Sequence, residues 1–261
     1  MTIQTAIKNH VTDKKMRMRI SESFLRRGVD LMTIEDFASN YDRFKISQFP
    51  NIGTMATELI MEIIDKTYIS YSQMNKFQTD IDGFVETYIE GKPWEGNAYT
   101  DFGSKVGGSL EYNDFSKFAP REQRVLKKVE RLDVFEREIK LKYNGFYVKG
   151  FIDTMTYDFK RIVDYKTGGK KKEFQYQEDK YKQLCLYALA LKQETGVLPE
   201  AAQVIFLRRD GNAFKGEKLS VAAEDPLTLD VDISIDRLLE VHQYTEQVAH
   251  EMEAFCRQFK F

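Results

Sequence analysis

The stretch FYVKGFIDTMTYDFKRIVDYKTGG, residues 146–169, decides how this chain is read. It carries a strand from Phe146 to Met155, a turn near Tyr157-Asp158, and a strand from Arg161 to Thr167 that Gly168-Gly169 breaks. Side chains two apart on a strand share a face, so Ile162, Asp164 and Lys166 project together while Val163 and Tyr165 face the other way. Asp153 and Asp164 lie 11 positions apart across this hairpin. Antiparallel pairing can therefore bring their carboxylates to one place on adjacent strands.

Upstream, Phe135, Ile139, Leu141 and Tyr143 fall at odd positions between Glu136, Glu138, Lys140 and Lys142, the period of a half-buried strand. Asn144-Gly145 then signals a two-residue hairpin. Downstream, a helix is expected over about 177–194, ended by Gly196, and Val204–Leu207 reads as a buried strand. The last element is amphipathic, with Ile235, Leu238, Leu239, Val248, Met252 and Phe255 on its apolar face. From residue 134 onward the order is β-β-β-α-β.

The first half reads as helices. Thr33 with Asp36 caps a short helix to about Asn40, and Met55–Lys66 has helical character. Ser70 with Gln73 forms a capping-box pattern before Met74, Phe77, Ile81, Phe84 and Tyr88, which describe one helix face. Further helices are expected over about 101–110 and 121–131.

Two carboxylates and a backbone carbonyl can hold Mg²⁺ or Mn²⁺, which prefer oxygen ligands. Such an ion binds a phosphate oxygen and acidifies water, and a neighbouring lysine offsets transition-state charge. Asp153, Asp164 and Lys166 supply that set. The carboxylates favour the ionised lysine, making Lys166 a charge stabiliser more than a base. Gln183 and Tyr187, four apart, share one face of the following helix. An isolated Asp-x-Lys is usually a surface ion pair; the ordered set of Gly-x-x-Asp, Asp-x-Lys and Gln-x-x-x-Tyr is what makes the pattern specific.

The formal charge of -2 excludes a polycation, so nucleic-acid contact must come from local basic patches. Lys170, Lys171 and Lys172 follow the third strand directly, and Arg208 and Arg209 end the next one; both sets are candidates for backbone contacts to DNA. Residues 1–30 hold seven basic side chains (Lys8, Lys14, Lys15, Arg17, Arg19, Arg26, Arg27) against three acids (Asp13, Glu22, Asp30), read most simply as a solvated N-terminus. Trp94 is a candidate base-stacking residue, and Tyr112, Phe115 and Phe118 are candidates for a strand-threading arch. His10, His242 and His250 have no metal-ligand spacing, and no Walker A loop is present, so no nucleotide is expected. Cys185 and Cys256 suggest no disulfide framework. The chain lacks an 18-residue apolar run and a signal-peptide pattern, which gives a cytoplasmic expectation with no membrane partner.

These motifs resemble the RecB-like branch of the PD-(D/E)XK nuclease superfamily. Ile69–Met74 with Phe77, Gly103 with Leu110-Glu111, Gly150–Asp153, Ile162–Gly168 and Gln183–Ala188 carry the resemblance, over about 68–207. It implies an α/β, restriction-endonuclease-like core (αβββαβ, a mixed sheet flanked by helices). The nuclease domain would cover 68–261 behind a helical N-terminal extension, 1–67, which could recruit a replication or recombination partner. It also implies a Mg²⁺- or Mn²⁺-dependent DNA nuclease, often an exonuclease, of a bacterial or phage-infected cell. Asp153, Asp164 and the Tyr165 carbonyl would be metal ligands, Lys166 the catalytic lysine, and Gln183 and Tyr187 substrate contacts or braces. Many relatives carry His four residues after the glycine matching Gly103; here Gly107 stands there, and Glu111, one turn further on, is taken as a further ligand. Iron–sulfur relatives carry four cysteines; two cannot build that site, so no cluster is expected.

Overall fold

The computed structural model describes residues 2–41, 43–65, 68–92, 96–143, 146–170, 172 and 181–258. Trp94, Asn144, Gly145 and Lys171 lie outside them, as do 173–180, where the helix over 177–194 was expected to begin. The chain divides into two compact units, one of Met1–Ser70 with Lys142–Val148, the other of Tyr71–Leu141 with Lys149–Phe261.

The first unit contains α1 (Ile3–His10), α2 (Lys14–Arg27), α3 (Ile34–Asn40), α4 (Arg43–Ser47), α5 (Thr54–Asp65) and the short strand β1 (Ile69–Ser70). Thr33 caps α3 by accepting from the Asp36 N–H at 3.1 Å, as its spacing predicts. The solvated reading of residues 1–30 is corrected here. Ile3, Ile7, Ile20 and Phe24 are fully buried in one core with Phe37, Phe49 and Ile60. The apolar pairs recur at i, i+4, and the charges of α2 occupy the opposite, exposed side, so net charge concealed a helix face. Phe24 meets the rings of Phe37 and Phe49 at 5.0 and 5.8 Å.

The second unit opens with α6 (Tyr71–Thr79) and α7 (Ile81–Phe84), followed by a π-helical turn, Val85–Ile89. One continuous helix was expected here. Asp80 interrupts it by accepting from the Gly83 N–H at 3.0 Å and starting a new helix. The apolar face survives the break: Phe77 and Phe84 both pack on Phe255. Next come α8 (Ala98–Tyr112), with its N-cap Asn97, and α9 (Pro120–Leu126), with proline in its first turn.

The sheet follows, as β2 (Val134–Lys142), β3 (Tyr147–Met155) and β4 (Arg161–Gly168), then α10 (Lys182–Thr195) and β5 (Ala201–Asp210). β6 (Ser220–Val221), β7 (Leu227–Asp230) and the final helix α11 (Ile235–Arg257) complete the unit. β2 and β4 flank β3; β4 runs parallel to β5 from Arg161↔Ala201 to Gly168↔Arg208, and β6 and β7 pair antiparallel with β5. This is a mixed sheet with helices against it, the α/β class expected. β6 and β7 are too short to show a period in sequence.

Helix α8 packs Phe102, Val106 and Leu110 over Val163, Ile205 and Leu207 of the sheet. Phe115 and Phe118 belong to that same core and are buried, which removes them from a strand-threading arch; Tyr112 is exposed. Among the described residues no helix is long and apolar enough to cross a membrane.

Phe24→Ala is expected to destabilise the first unit by about 3–5 kcal/mol, the usual cost of removing a fully buried phenyl ring. Denaturant unfolding of the full chain checks it; a loss under about 1 kcal/mol would contradict this core.

Candidate active site

Strands β3 and β4 pair antiparallel through Met155↔Ile162 and Thr154↔Val163. One step further along that register come Asp153 and Asp164. Here the Tyr165 N–H donates to Asp153 Oδ2 at 2.7 Å, so a side chain of one strand takes a backbone donor of its neighbour. The hairpin thus brings the two carboxylates together, as strand geometry predicts. Asp153 is half-buried. Its carboxyl is pushed up to about 7, first by burial and then by the Asp164 charge, against the opposing pull of Lys166.

Asp164 is fully buried. Its Oδ2 accepts from Lys166 Nζ at 2.6 Å and from the Tyr181 hydroxyl at 2.8 Å. Among the described residues, its Oδ1 is buried without a hydrogen-bond partner. A carboxylate left half-satisfied in a dry place is costly, and nearly all buried polar atoms in folded proteins are paired. The Lys166 ammonium also lies 5.5 Å from the centre of the Tyr181 ring.

Behind this pair stands the N-terminal end of α10. Tyr181 lies 2.6 Å from the Gln183 amide, which in turn contacts the Tyr187 hydroxyl. Tyr181 has one hydroxyl proton. Giving it to Asp164 requires the amide NH₂ to face Tyr181 and the amide oxygen to face Tyr187, an exchange of two atoms of equal size. Burial raises the Tyr187 hydroxyl well above its ordinary pKa, so it remains a donor. Gly150 explains how Tyr187 reaches this position: a Cβ there would lie 2.6 Å from the tyrosine ring. The glycine of Gly-x-x-Asp is a close-approach residue.

A cleft of about 780 Å³ is lined by Asp153, Lys166, Glu111, Glu136, Lys172 and Arg209 among others, whereas Asp164, Gln183 and Tyr187 are not among its described lining residues. Arg131 fixes the end of α8 by donating to the carbonyls of Leu110 and Glu111, which holds Glu111 at the cleft wall. Gly107 also faces the cleft, and a Cβ there would meet no atom within 4 Å. Lys170 and Arg208 are not among the described lining residues, and Lys171 lies outside the description.

Two participants were not legible beforehand. Tyr181 precedes Gln183 by two, but no spacing rule marks it. Glu136 read as one of the outward charges of β2. Its φ of 49° is left-handed, uncommon for a side-chain-bearing residue, and it lines the cleft. Its carboxyl is raised by burial, then by Glu111 and Asp164.

The model of the PD-(D/E)XK nuclease superfamily matches residues 47–259. This chain belongs to that superfamily. Comparison with curated proteins gives no match. Among solved structures, a protein of Eubacterium rectale provisionally named an exonuclease superposes with a TM-score of 0.51 at 13% identity, over 76% of this chain and 84% of that one. An alkaline exonuclease of Laribacter hongkongensis gives a TM-score of 0.39 at 11% identity, over 74% of this chain and 93% of that one. The first likeness is one of fold.

PD-(D/E)XK nucleases typically use divalent metals, and the residues here fit one. Asp164 offers an unpartnered buried oxygen beside Asp153, and burial with mutual repulsion holds the Asp153 carboxyl high until positive charge arrives. Among the described residues no group of three or more His, Cys, Asp or Glu side chains is placed to hold a metal ion.

The raised Asp153 carboxyl has a sign. An acid whose folded pKa exceeds its unfolded value of about 3.9 binds more protons when folded, so it costs stability as pH rises through about 4 to 7, and fully above 7. Asp153→Asn cannot ionise. Without metal, its melting temperature should therefore exceed that of wild type increasingly from pH 5 to pH 8. At pH 8, Mg²⁺ should raise the wild-type melting point and leave the variant nearly unchanged. Parallel pH profiles would show that Asp153 is not held high by its surroundings.

Proposed function

We propose that this nuclease hydrolyses DNA phosphodiester bonds with Mg²⁺ or Mn²⁺, acting as an exonuclease on linear molecules with single-stranded ends. The observation that carries the reading is the unpartnered buried oxygen of Asp164 beside Asp153 and Lys166, at a cleft whose wall also holds Lys172 and Arg209. Asp153, Asp164 and the Tyr165 carbonyl would hold the ion, with Glu111 within the same cleft as a further carboxylate. When bound, the ion supplies Lewis-acid polarisation of the phosphate and a more acidic water.

The chain's own residues do the rest. Lys166, 2.6 Å from Asp164, offsets negative charge developing on the phosphoryl oxygens. Tyr181, Gln183 and Tyr187 fix Asp164 and keep water from the rear of the strand. Lys172 and Arg209 hold the phosphate backbone without reading sequence. Gly107 stands where relatives carry a histidine, which leaves Glu111 and Glu136 as the acidic groups on that side of the cleft.

The test uses end-labelled linear and closed circular DNA, single- and double-stranded, with Mg²⁺, Mn²⁺ or EDTA. Linear DNA is expected to be degraded with either metal and circles spared; EDTA abolishes the reaction. Lys166→Ala should slow it by about 10²–10³-fold, the scale of losing one electrostatic stabiliser. Cutting of circles would make the enzyme an endonuclease. Binding without cutting under any metal would make the chain a DNA-binding module, and a Lys166→Ala rate equal to wild type would overturn the site.

A further inference from the structure

Phe214 is the most exposed large apolar side chain among those described, at 89%, yet it is held in place. It sits in a 3₁₀ turn, Ala213–Lys215, directly after β5. Asn212 Oδ1 accepts from the Phe214 N–H at 3.0 Å and from the Tyr99 hydroxyl at 3.1 Å; that hydroxyl in turn accepts from the Ala213 N–H at 3.0 Å. Tyr99, in the first turn of α8, therefore ties the turn to the helix. The Tyr99 and Phe214 rings lie 5.5 Å apart, tilted at 59°. On Tyr99 rests the Arg209 guanidinium, 4.0 Å from the ring centre, and Arg209 Nε is buried without a partner. All three side chains line the cleft that holds Asp153 and Lys166.

Leaving a large apolar ring in water at a fixed place gains nothing for the fold. A ring presented beside a cation, one of whose donors is unused, matches the two faces of a single-stranded nucleic acid: a flat base and a phosphate. Bases stack on aromatic side chains whatever their identity, and arginine adds a phosphate contact. A blunt duplex end holds its terminal base in a pair with only the outer face exposed, whereas an unpaired nucleotide can turn out of the strand to meet a ring on the cleft wall, which favours the single strand.

We propose that Phe214, braced by Tyr99 and Arg209, is a stacking platform for one unpaired base at the mouth of the cleft, and that it sets a preference for single-stranded DNA. The proposal rests on the nuclease reading for its substrate class, but its test does not need cleavage. Binding is measured in EDTA, with the full-length protein and oligonucleotides carrying 2-aminopurine at successive positions from either end.

Wild type is expected to change the fluorescence of one or two adjacent positions and to bind single strands more tightly than a blunt duplex. Phe214→Ala should abolish that local signal and weaken single-strand binding by about 5–100-fold, the worth of one stacked base. Its affinity for the duplex should change less than twofold. Phe214→Trp should restore binding. Arg209→Met should weaken binding and reduce its salt dependence by about one phosphate contact. Single-strand binding by Phe214→Ala equal to wild type, or an equal loss for both DNAs, would overturn the proposal. If wild type cuts no DNA under any metal while the Phe214-dependent signal is present, the nuclease reading fails and the stacking platform stands. If it cuts DNA with Phe214→Ala indifferent in binding, the reverse holds.

Discussion

A carboxylate held out of water with only one of its two oxygens satisfied is the constraint on which the nuclease unit is organised. Asp164 sits in the middle of β4, antiparallel to β3 on one side and parallel to β5 on the other, and is fully buried. Lys166 and Tyr181 serve Oδ2, and among the described residues nothing serves Oδ1. Asp153 adds a second carboxyl close enough to feel the first. A fold selected for stability alone would place neither group there, since burying carboxyl groups whose hydrogen bonds are only partly satisfied is costly. The arrangement is intelligible as a site prepared for positive charge.

The surrounding elements follow from that need. Helix α10 can approach β3 because Gly150 has no Cβ, and this brings Tyr187, Gln183 and Tyr181 into a chain of hydrogen bonds ending on Asp164. Helix α8 covers the opposite face through Phe102, Val106 and Leu110, while Arg131 pins its C-terminal carbonyls so that Glu111 stays at the wall. The left-handed backbone at Glu136 is a further cost borne at the cleft, where local strain is commonly found. Within the first unit, the aromatic core around Phe24 obeys ordinary packing rules.

Much of this was legible in the chain. Period-2 alternation located β2, turn and glycine signals bounded β3 and β4 to within a residue or so, and an antiparallel hairpin carried Asp153 toward Asp164. Gly-x-x-Asp and Gln-x-x-x-Tyr were recognisable as motifs, although the reason for the glycine, the Tyr187 ring, needed three dimensions. What stayed hidden had physical causes. The basic character of residues 1–30 masked the buried stripe of Ile3, Ile7, Ile20 and Phe24. Asp80 split a helix whose apolar face ran on unbroken. Glu136 was indistinguishable from a surface charge because backbone sign is not written in a residue's neighbours, and Tyr181 gained its role only through the position of α10.

The central claim is that Asp153 and Asp164 share one hard cation. Crystals of the full chain grown with Mn²⁺ and measured at its absorption edge test it directly. An anomalous peak about 2.2 Å from an oxygen of each carboxylate, absent in Asp164→Asn, is the predicted result, that distance being ordinary for a hard cation on oxygen ligands. A well-ordered site with no peak between the two aspartates, or with the ion bound elsewhere in the cleft, would contradict the account.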